Sequence, residues 1–195
     1  MSLQVKCYPK GIYQENTYLI EDDATGFKAI IDPGYFDAEV RMDIQNNAYL
    51  KYMLLTHAHQ DHFSAAKHYL DEYTSLKYAA PEKDKALLER YQTPMPTHWV
   101  KEGDVINLGE TEIRVIETPG HTAGGICFVT DEYVFSGDTL FRLSVGRSDL
   151  ETGDWDTLVT SIKEKLYTLD ENLVVYPGHG LPTSIGYEKK ANPFV

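Results

Sequence analysis

The feature that most constrains the fold is a histidine-rich segment, residues 56–62, which directly follows a short apolar run. Three imidazoles and a carboxylate stand within six successive positions there, a composition for which a surface loop has no structural need. Histidine binds transition metals readily and carboxylate joins it, so the segment suits Zn, Fe or Mn. In extended backbone His57 and His59 share a face, whereas Asp61 and His62 are adjacent and point differently. One loop can therefore serve two neighbouring metal positions; the alternative is a polar loop before a helix.

Three further segments share one local pattern, in which a small or glycine-containing turn follows an apolar run and presents one ligand-type side chain. These side chains are His121 in TPGHT, Asp138 in SGDT and His179 in YPGHG. Taken alone, each is more often a turn residue than a ligand. Together with the histidine-rich segment they predict a metal site on loops that a rigid frame supports. Of the other histidines, His68 in a helical pattern and His98 in a proline-containing loop are predicted to be structural.

Strand and helix patterns are interspersed in both halves of the chain. Strands are predicted at residues 3–8, 17–20, 28–31, 52–55, 76–79, 105–108, 112–116, 126–130, 133–136 and 173–176. Helices are predicted at residues 36–48, 64–73, 81–90 and 155–169. This pattern favours an α/β fold in which sheets pack on each other with helices outside. The length of 195 residues, without a repeat or linker, predicts a single domain over residues 1–195.

The charge balance restricts the class of partner. With 18 basic and 30 acidic residues the net charge is −12, which disfavours nucleic acid and anionic membranes. An anionic small substrate stays possible, because bound metal ions would reverse the local field. No signal-peptide run stands at the N-terminus and no stretch approaches the ~20 apolar residues of a membrane span, so a cytoplasmic location is expected. The oligomeric state is left open.

The two cysteines, Cys7 and Cys127, both lie in strand-like apolar stretches and form no C-x-x-C motif. We therefore expect two buried thiols of a cytosolic protein, and neither a disulfide nor a metal pair.

From Thr17 to His179 the sequence resembles the metallo-β-lactamase superfamily, and it is most similar to short, single-domain relatives of the hydroxyacylglutathione hydrolases (glyoxalase II). The motifs that carry the resemblance are IDPG at 31–34, the segment 57–62, TPGHT at 118–122, GDTLF at 137–141, GRSD at 146–149, PGHG at 177–180 and NPF at 192–194. The resemblance implies an αβ/βα sandwich of two mixed sheets flanked by helices. It also implies a site at one edge of the two sheets.

The resemblance further implies two metal ions and their ligands. One ion would be held by His57, His59 and His121, the other by Asp61, His62 and His179, and Asp138 would bridge them. Asp32 would orient a ligand from behind, although a turn residue before Pro33 is an equal alternative. Arg147 matches a basic substrate contact of the family, although a loop contact with Asp149 explains it equally well.

Two divalent ions, Zn first with Fe or Mn as alternatives, would lower the pKa of a bridging water toward ~7 and polarise a substrate carbonyl. A thioester has a good leaving thiolate, so no catalytic Ser or Cys is needed. Asp61 is the carboxylate best placed to orient the resulting hydroxide. We therefore predict a metal-dependent hydrolase, a thioesterase of hydroxyacylglutathione hydrolase type that acts on a small-molecule thioester or related acyl substrate. Lactone or ester hydrolysis at the same site stays open.

Other functions are compatible with some of the same motifs. A mononuclear iron persulfide dioxygenase shares the Gly-Arg-x-Asp segment, but that family usually has alanine at the position of Gly178 and Asp at that of Gly180. The tyrosine that glyoxalase II carries two residues after its basic contact is Asp149 here, so the likeness supports thioesterase chemistry better than glutathione as the carrier. The complete ligand set argues against a scaffold protein. The absence of a signal peptide disfavours a secreted β-lactamase, and the short, acidic chain disfavours an RNA nuclease.

Overall fold

The computed structural model describes residues 2–44 and 49–195. The fourteen strands in this part of the chain are β1 Leu3–Lys10, β2 Glu15–Asp22, β3 Lys28–Ile31, β4 Leu50–Leu54, β5 Lys77–Pro81, β6 His98–Val100, β7 Val105–Leu108, β8 Thr111–Glu117, β9 Ile126–Val129, β10 Tyr133–Gly137, β11 Leu140–Phe141, β12 Ser144–Val145, β13 Val174–Pro177 and β14 Thr183–Ser184. The α-helices are α1 Ala38–Ile44, α2 Gln60–Phe63, α3 Ala66–Glu72, α4 Lys85–Arg90, α5 Trp155–Glu164 and α6 Ile185–Ala191. Short 3-10 turns occupy Glu82–Asp84 and Leu166–Thr168.

Two six-stranded mixed sheets form the frame, with strand orders β1-β2-β3-β4-β5-β6 and β14-β13-β10-β9-β8-β7. In the first sheet β1 to β3 are antiparallel and β3 to β6 are parallel. In the second sheet β7 to β10 are antiparallel, β13 runs parallel to β10, and β14 is antiparallel to β13. The predicted sandwich of two mixed sheets flanked by helices is confirmed.

Three apolar layers separate these elements. The middle layer lies between the sheets and joins Ile31 of the first to Phe128 of the second. One outer layer packs the first sheet against α1, α3 and α4, and the other packs the second sheet against α5 and α6. Because neighbouring side chains of a strand face opposite sides, Ile30 joins an outer layer while Ile31 joins the middle one. This explains why β3 reads as an unbroken apolar run.

The predicted helices are present but shorter. The helix predicted at 36–48 is α1, Ala38–Ile44, and the predicted residues 45–48 lie outside the described part of the chain. The backbone carbonyls at the end of α1 accept hydrogen bonds from Lys28 Nζ, and the distance from this atom to the Asp43 carbonyl oxygen is 2.8 Å. The helix predicted at 155–169 ends at Glu164 and continues as a 3-10 turn.

The sequence patterns missed several short strands and placed His98 in a loop. The predicted proline-containing loop, residues 92–98, ends in β6, an edge strand of three residues in which His98 is exposed and Val100 is buried. Strands of two or three residues, such as β6, β11 and β14, are too short for a hydrophobic period to reveal them. His68 lies in α3, where its ring stacks on that of Phe36 with centroids 5.3 Å apart.

The prediction of two buried thiols is right for Cys127 and wrong for Cys7, which is exposed; both are free. Cys7 lies on the same face of β1 as Leu3, which is buried, but β1 is an edge strand and exposure increases along it toward Cys7. Strand pattern alone does not show how far the second sheet covers an edge strand. Among the described residues, no helix has the length and apolar character needed to cross a membrane.

A buried carboxylate, that of Asp84, ties the two sheets together next to their common edge. It lies in the 3-10 turn after β5 and accepts hydrogen bonds from the Ala58 backbone N–H at 2.9 Å, Thr122 Oγ1 at 2.8 Å and the Gly124 backbone N–H at 2.8 Å. Ala58 follows β4 of the first sheet, whereas Thr122 and Gly124 follow β8 of the second. Asp84 therefore fixes one loop of each sheet relative to the other.

We expect Asp84→Ala to lower the free energy of unfolding by about 3 kcal/mol, because three buried donors lose their acceptor. Asp131→Ala is the matched control, since the Asp131 side chain is 94% exposed, and we expect a change below about 0.5 kcal/mol. Urea denaturation of both variants in the presence of a chelator measures the difference without any contribution from metal. Equal losses for the two variants would contradict the role of Asp84.

Candidate metal centre

Four loops meet where strands of both sheets end, and each carries ligand-type side chains. The loops follow β4, β8, β10 and β13. Backbone hydrogen bonds join them across the sheets: Ile126 N–H donates to the Thr56 carbonyl at 3.0 Å, and Asn16 N–H donates to the Gly178 carbonyl at 2.8 Å. The frame therefore brings residues from distant parts of the chain to one edge.

The first cluster consists of His57, His59 and His121, each of which offers one nitrogen within 4.8 Å of the others. His59 Nδ1 lies 2.8 Å from His121 Nε2. Two imidazole lone pairs repel at this separation, so a proton or a cation must lie between them.

The second cluster consists of Asp61, His62 and His179. Asp61 Oδ2 lies 3.4 Å from His179 Nε2 and 3.9 Å from His62 Nε2. Asp61 and His62 belong to α2, which begins directly after the two histidines of the first cluster. One segment thus supplies both clusters.

Asp138 lies between the clusters. Its Oδ1 is 3.4 Å from His62 Nε2, and its Oδ2 is 3.4 Å from His121 Nε2 and 3.5 Å from His179 Nε2. One carboxylate therefore faces imidazoles of both groups, as a bridging ligand would.

Hydrogen bonds behind the rings determine which nitrogen faces the centre. The Thr56 hydroxyl donates to Asp32 Oδ2 at 2.7 Å, so it accepts from His57 Nδ1 at 3.0 Å. His62 Nδ1 donates to Asp32 Oδ2 at 3.0 Å. In both rings the Nδ1 proton is held outward, which leaves the Nε2 lone pair directed inward.

The other two rings are oriented by backbone carbonyls. His121 Nδ1 donates to the Arg147 carbonyl at 2.6 Å, and His179 Nδ1 donates to the Tyr13 carbonyl at 2.9 Å. Their Nε2 atoms are the ones that face Asp138. Each of the two clusters therefore contains imidazoles whose tautomer is fixed for metal binding.

The described residues fit a metal centre on a further observation. Six buried side-chain atoms have no hydrogen-bond partner within the described part of the chain, and three of them belong to ligand-type residues: His57 Nε2, His62 Nε2 and Asp138 Oδ1. Buried polar atoms are almost always paired, so unpaired acceptors in both clusters and on the carboxylate between them call for cations. Imidazole and carboxylate together suit Zn, Fe or Mn. The chain thus contains a His/Asp metal-binding cluster.

The electrostatics of the two clusters differ. Burial lowers the pKa of His57 well below its usual range and that of His59 to about 4. Burial would also lower the pKa of His179, but hydrogen bonds to Asp138 and Asp61 raise it to about 10. Burial would raise the pKa of Asp138, yet the surrounding imidazoles, His62 first, hold it well below its usual range. His57 and His59 of the first cluster therefore stay neutral, the form that binds metal.

Asp32 occupies a strained backbone position behind the centre. Its φ is +50°, in the left-handed region that non-glycine residues rarely adopt. Besides the Thr56 hydroxyl and His62, its carboxylate accepts the Thr56 backbone N–H at 2.8 Å. Three hydrogen bonds to one buried carboxylate hold the residue in this conformation.

The sequence patterns did not indicate Glu15, a second buried carboxyl group behind the centre. Its Oε1 lies 4.0 Å from His62 Nδ1, and its Oε2 accepts from Thr17 Oγ1 at 3.2 Å. Burial raises the pKa of this group well above its usual value. No local signal marks Glu15, because Asn16 and Thr17 after it are polar as well.

Gly178 is needed for the close approach of two ligand-type side chains. A Cβ at this position would overlap Asp138 Oδ1 and would lie 2.7 Å from His62 Cε1. Any larger residue must therefore displace Asp138, His62 or both.

A cleft of about 600 Å³ opens over the clusters. Besides the ligand-type residues, it is lined by Tyr13, Gln60, Phe141, Val145, Arg147 and Leu150. Arg147 pairs with Asp149, at 2.7 Å from Nε to Oδ1 and 2.8 Å from Nη2 to Oδ2. The site can therefore admit a small molecule directly above the metal-binding groups.

Comparisons with known proteins agree with this geometry. The family model described as the metallo-beta-lactamase superfamily matches residues 11–179. The hydroxyacylglutathione hydrolase GloC of Haemophilus influenzae is 35% identical, over 99% of this chain and 98% of the relative. Among solved structures, TTHA1623 in a di-iron-bound form has a TM-score of 0.83 and 33% identity, over 98% of this chain and 100% of that one. ETHE1 from Myxococcus xanthus has a TM-score of 0.83 and 31% identity, over 97% of this chain and 83% of that one.

The family model covers most of the chain, and the most informative relatives match almost its entire length. The chain therefore belongs to the metallo-β-lactamase superfamily, as a hydrolase-type enzyme with a His/Asp metal-binding cluster.

Proposed function

We propose that the chain is a metal-dependent thioester hydrolase of hydroxyacylglutathione hydrolase type. The observation that carries the proposal is the pair of three-residue clusters that share Asp138 beneath one open cleft. Its similarity over nearly the whole length to a hydroxyacylglutathione hydrolase supports the reaction class. Lactone or ester hydrolysis would use the same site.

We assign two divalent metal ions to the clusters. His57, His59 and His121 would hold one ion, Asp61, His62 and His179 the other, and Asp138 would contact both. Asp32 orients His62 from behind. Zn is the first expectation, with Fe or Mn as alternatives, since this donor set accepts all three and one similar structure is di-iron-bound.

When bound, the ions would acidify a water molecule and polarise the scissile carbonyl. Asp61 borders the cleft, and His179 and His62 hold the pKa of its carboxyl below the usual value even though burial opposes this. It therefore stays ionised, and its Oδ2 can accept a hydrogen bond from the attacking water. Attack breaks the C–S bond and yields a carboxylic acid and a thiol. Because a thiolate leaves readily, the mechanism needs no protein nucleophile.

A mononuclear iron persulfide dioxygenase is the second candidate. The similarity to ETHE1 favours it. The second cluster and Gly178 favour the hydrolase, because both keep Asp61, His62, His179 and Asp138 in position for a second ion. The net charge of −12 supports a small-molecule partner over nucleic acid or an anionic membrane.

We expect about two metal ions per chain by elemental analysis, together with thioester cleavage that a chelator abolishes and added metal restores. The assay uses S-D-lactoylglutathione and the hexanoyl thioester of N-acetylcysteamine, so that one charged and one uncharged carrier are tested. About one iron per chain, no cleavage of either thioester, and oxygen uptake with glutathione persulfide would establish the dioxygenase instead.

We expect Asp61→Asn to lower kcat for thioester cleavage by at least about 100-fold, because the amide cannot accept the proton of the attacking water. Asp71→Asn is the matched control, as its side chain is 65% exposed and pairs with Lys67 in α3. Metal content is measured on the same samples. Unchanged kcat in a metal-replete Asp61→Asn variant would remove Asp61 from the mechanism.

We expect Gly178→Ala to reduce the metal content from about two ions per chain to about one, because the added Cβ pushes against Asp138 and His62. Gly103→Ala, in an exposed turn, meets no atom within 4 Å but is strained by its φ of +83°, so it controls for glycine loss and backbone strain at a site outside the two clusters. Full occupancy in Gly178→Ala would show that the centre adjusts to the methyl group.

A further inference from the structure

Among the described residues that line the cleft, Arg147 is the one cationic side chain that is not an imidazole, and it is already paired. Arg147 donates from Nε and Nη2 to the two carboxylate oxygens of Asp149, at 2.7 and 2.8 Å. This bidentate contact uses the fork of donors with which arginine recognises a carboxylate or phosphate. An anionic carrier that needs this bidentate contact competes with Asp149 for it, and only the remaining Nη protons are left without this competition. The pair therefore presents little net positive charge to a substrate.

The wall next to Arg147 is apolar. The hairpin of β11 and β12 supplies Phe141 and Val145, and Leu150 follows it. The Phe141 ring lies edge-on to the His179 ring, with centroids 6.0 Å apart. A group held against Phe141 is therefore close to the second cluster. Such a wall suits a hydrocarbon group and offers few partners to a charged one.

Tyr13, in the turn after β1, also lines the cleft and is 67% exposed. Two exposed apolar side chains neighbour lining residues along the chain: Ile12, 85% exposed, precedes Tyr13, and Leu181, 65% exposed, lies two positions after His179. We call these three residues the rim. The turn and the loop of Leu181 are held together, because His179 Nδ1 donates to the Tyr13 carbonyl at 2.9 Å and Asn16 Nδ2 donates to the Gly180 carbonyl at 2.9 Å. Exposed apolar groups beside a cleft often mark a binding surface.

We propose that the cleft selects thioesters with an apolar acyl group and a small, uncharged thiol part, and that Asp149 sets this selectivity by occupying Arg147. The proposal rests on the thioester hydrolase function above and names its substrate class. The apolar wall and rim receive the acyl chain. The neutralised Arg147 gives an anionic carrier such as glutathione no advantage.

The test compares two thioethers that cannot be hydrolysed, S-hexylglutathione and S-hexyl-N-acetylcysteamine, which share the alkyl group and differ in the charge of the thiol part. Calorimetry at low ionic strength gives the Kd of each for the metal-loaded protein. We expect the wild type to bind the uncharged thioether at least as tightly as the charged one. Asp149→Asn should tighten binding of the glutathione thioether about three- to fivefold, the range of an exposed charge pair, and leave the other Kd within about twofold.

Matched variants separate this selectivity from a general effect on the loop. Arg147→Gln leaves Asp149 without its partner and should weaken binding of S-hexylglutathione by a similar factor while the other Kd stays within about twofold. Asp149→Asn combined with Arg147→Gln should lose the gain. Arg142→Gln, in the turn of the same hairpin and outside the cleft lining, controls for a lost surface charge. The proposal would be overturned if the wild type bound S-hexylglutathione more tightly than the uncharged thioether and Arg147→Gln abolished this difference. If Phe141→Asn leaves the Kd of both thioethers unchanged, the role of the apolar wall in binding is overturned.

Hydrolysis of the matching hexanoyl thioesters, measured on the same samples, distinguishes the two proposals. Preference for the uncharged thioether without cleavage of either thioester supports the selectivity and overturns the hydrolase function. Cleavage of both thioesters with a higher kcat/KM for the glutathione compound overturns the selectivity and supports the hydrolase function.

Discussion

Hydrogen-bond acceptors behind four imidazole rings hold the centre of this protein in order. Asp32, the Thr56 hydroxyl and the carbonyls of Arg147 and Tyr13 each accept the Nδ1 proton of one ring, so the opposite nitrogen is free to face the centre. Without these acceptors each ring could rotate or change tautomer, and the lone pairs would no longer converge. The left-handed backbone of Asp32 and the close approach of Gly178 are the local strains that this order requires.

The sandwich supplies rigidity on a larger scale. Three apolar layers fix the two sheets, and cross-links such as Asp84 fix the loops at their common edge. The loops can therefore carry buried histidines and carboxylates, whose desolvation would destabilise a less constrained structure. The cleft above them is built from separate side chains, so its selectivity can change without disturbing the ligand-type residues below.

Sequence patterns predicted the features that depend on residues close together along the chain. Apolar runs located the longer strands, and turns that carry His or Asp after such runs identified the residues that the structure brings into two clusters. Patterns failed where an environment depends on distant segments. The alternation of polar and apolar residues in its strand predicts that Cys7 is buried, but the burial of this side chain depends on whether the opposite sheet covers it. Asp84 and Glu15 read as ordinary acidic residues, because their partners lie in other loops. The Arg147–Asp149 pair was foreseeable, because its members are two positions apart along the chain, but that Arg147 lines the cleft while paired with Asp149 was not.

The hydrogen bond from His179 to the carbonyl of Tyr13 joins residues 166 positions apart in the chain. A chain emerging from the ribosome can gather the histidines of the first cluster once residue 121 is free. The second cluster must wait for residue 179, whose ring is then oriented by a turn made at the start of synthesis. Completion of the second cluster therefore comes after thirteen of the fourteen described strands have been made, and a chain interrupted before residue 179 would lack it.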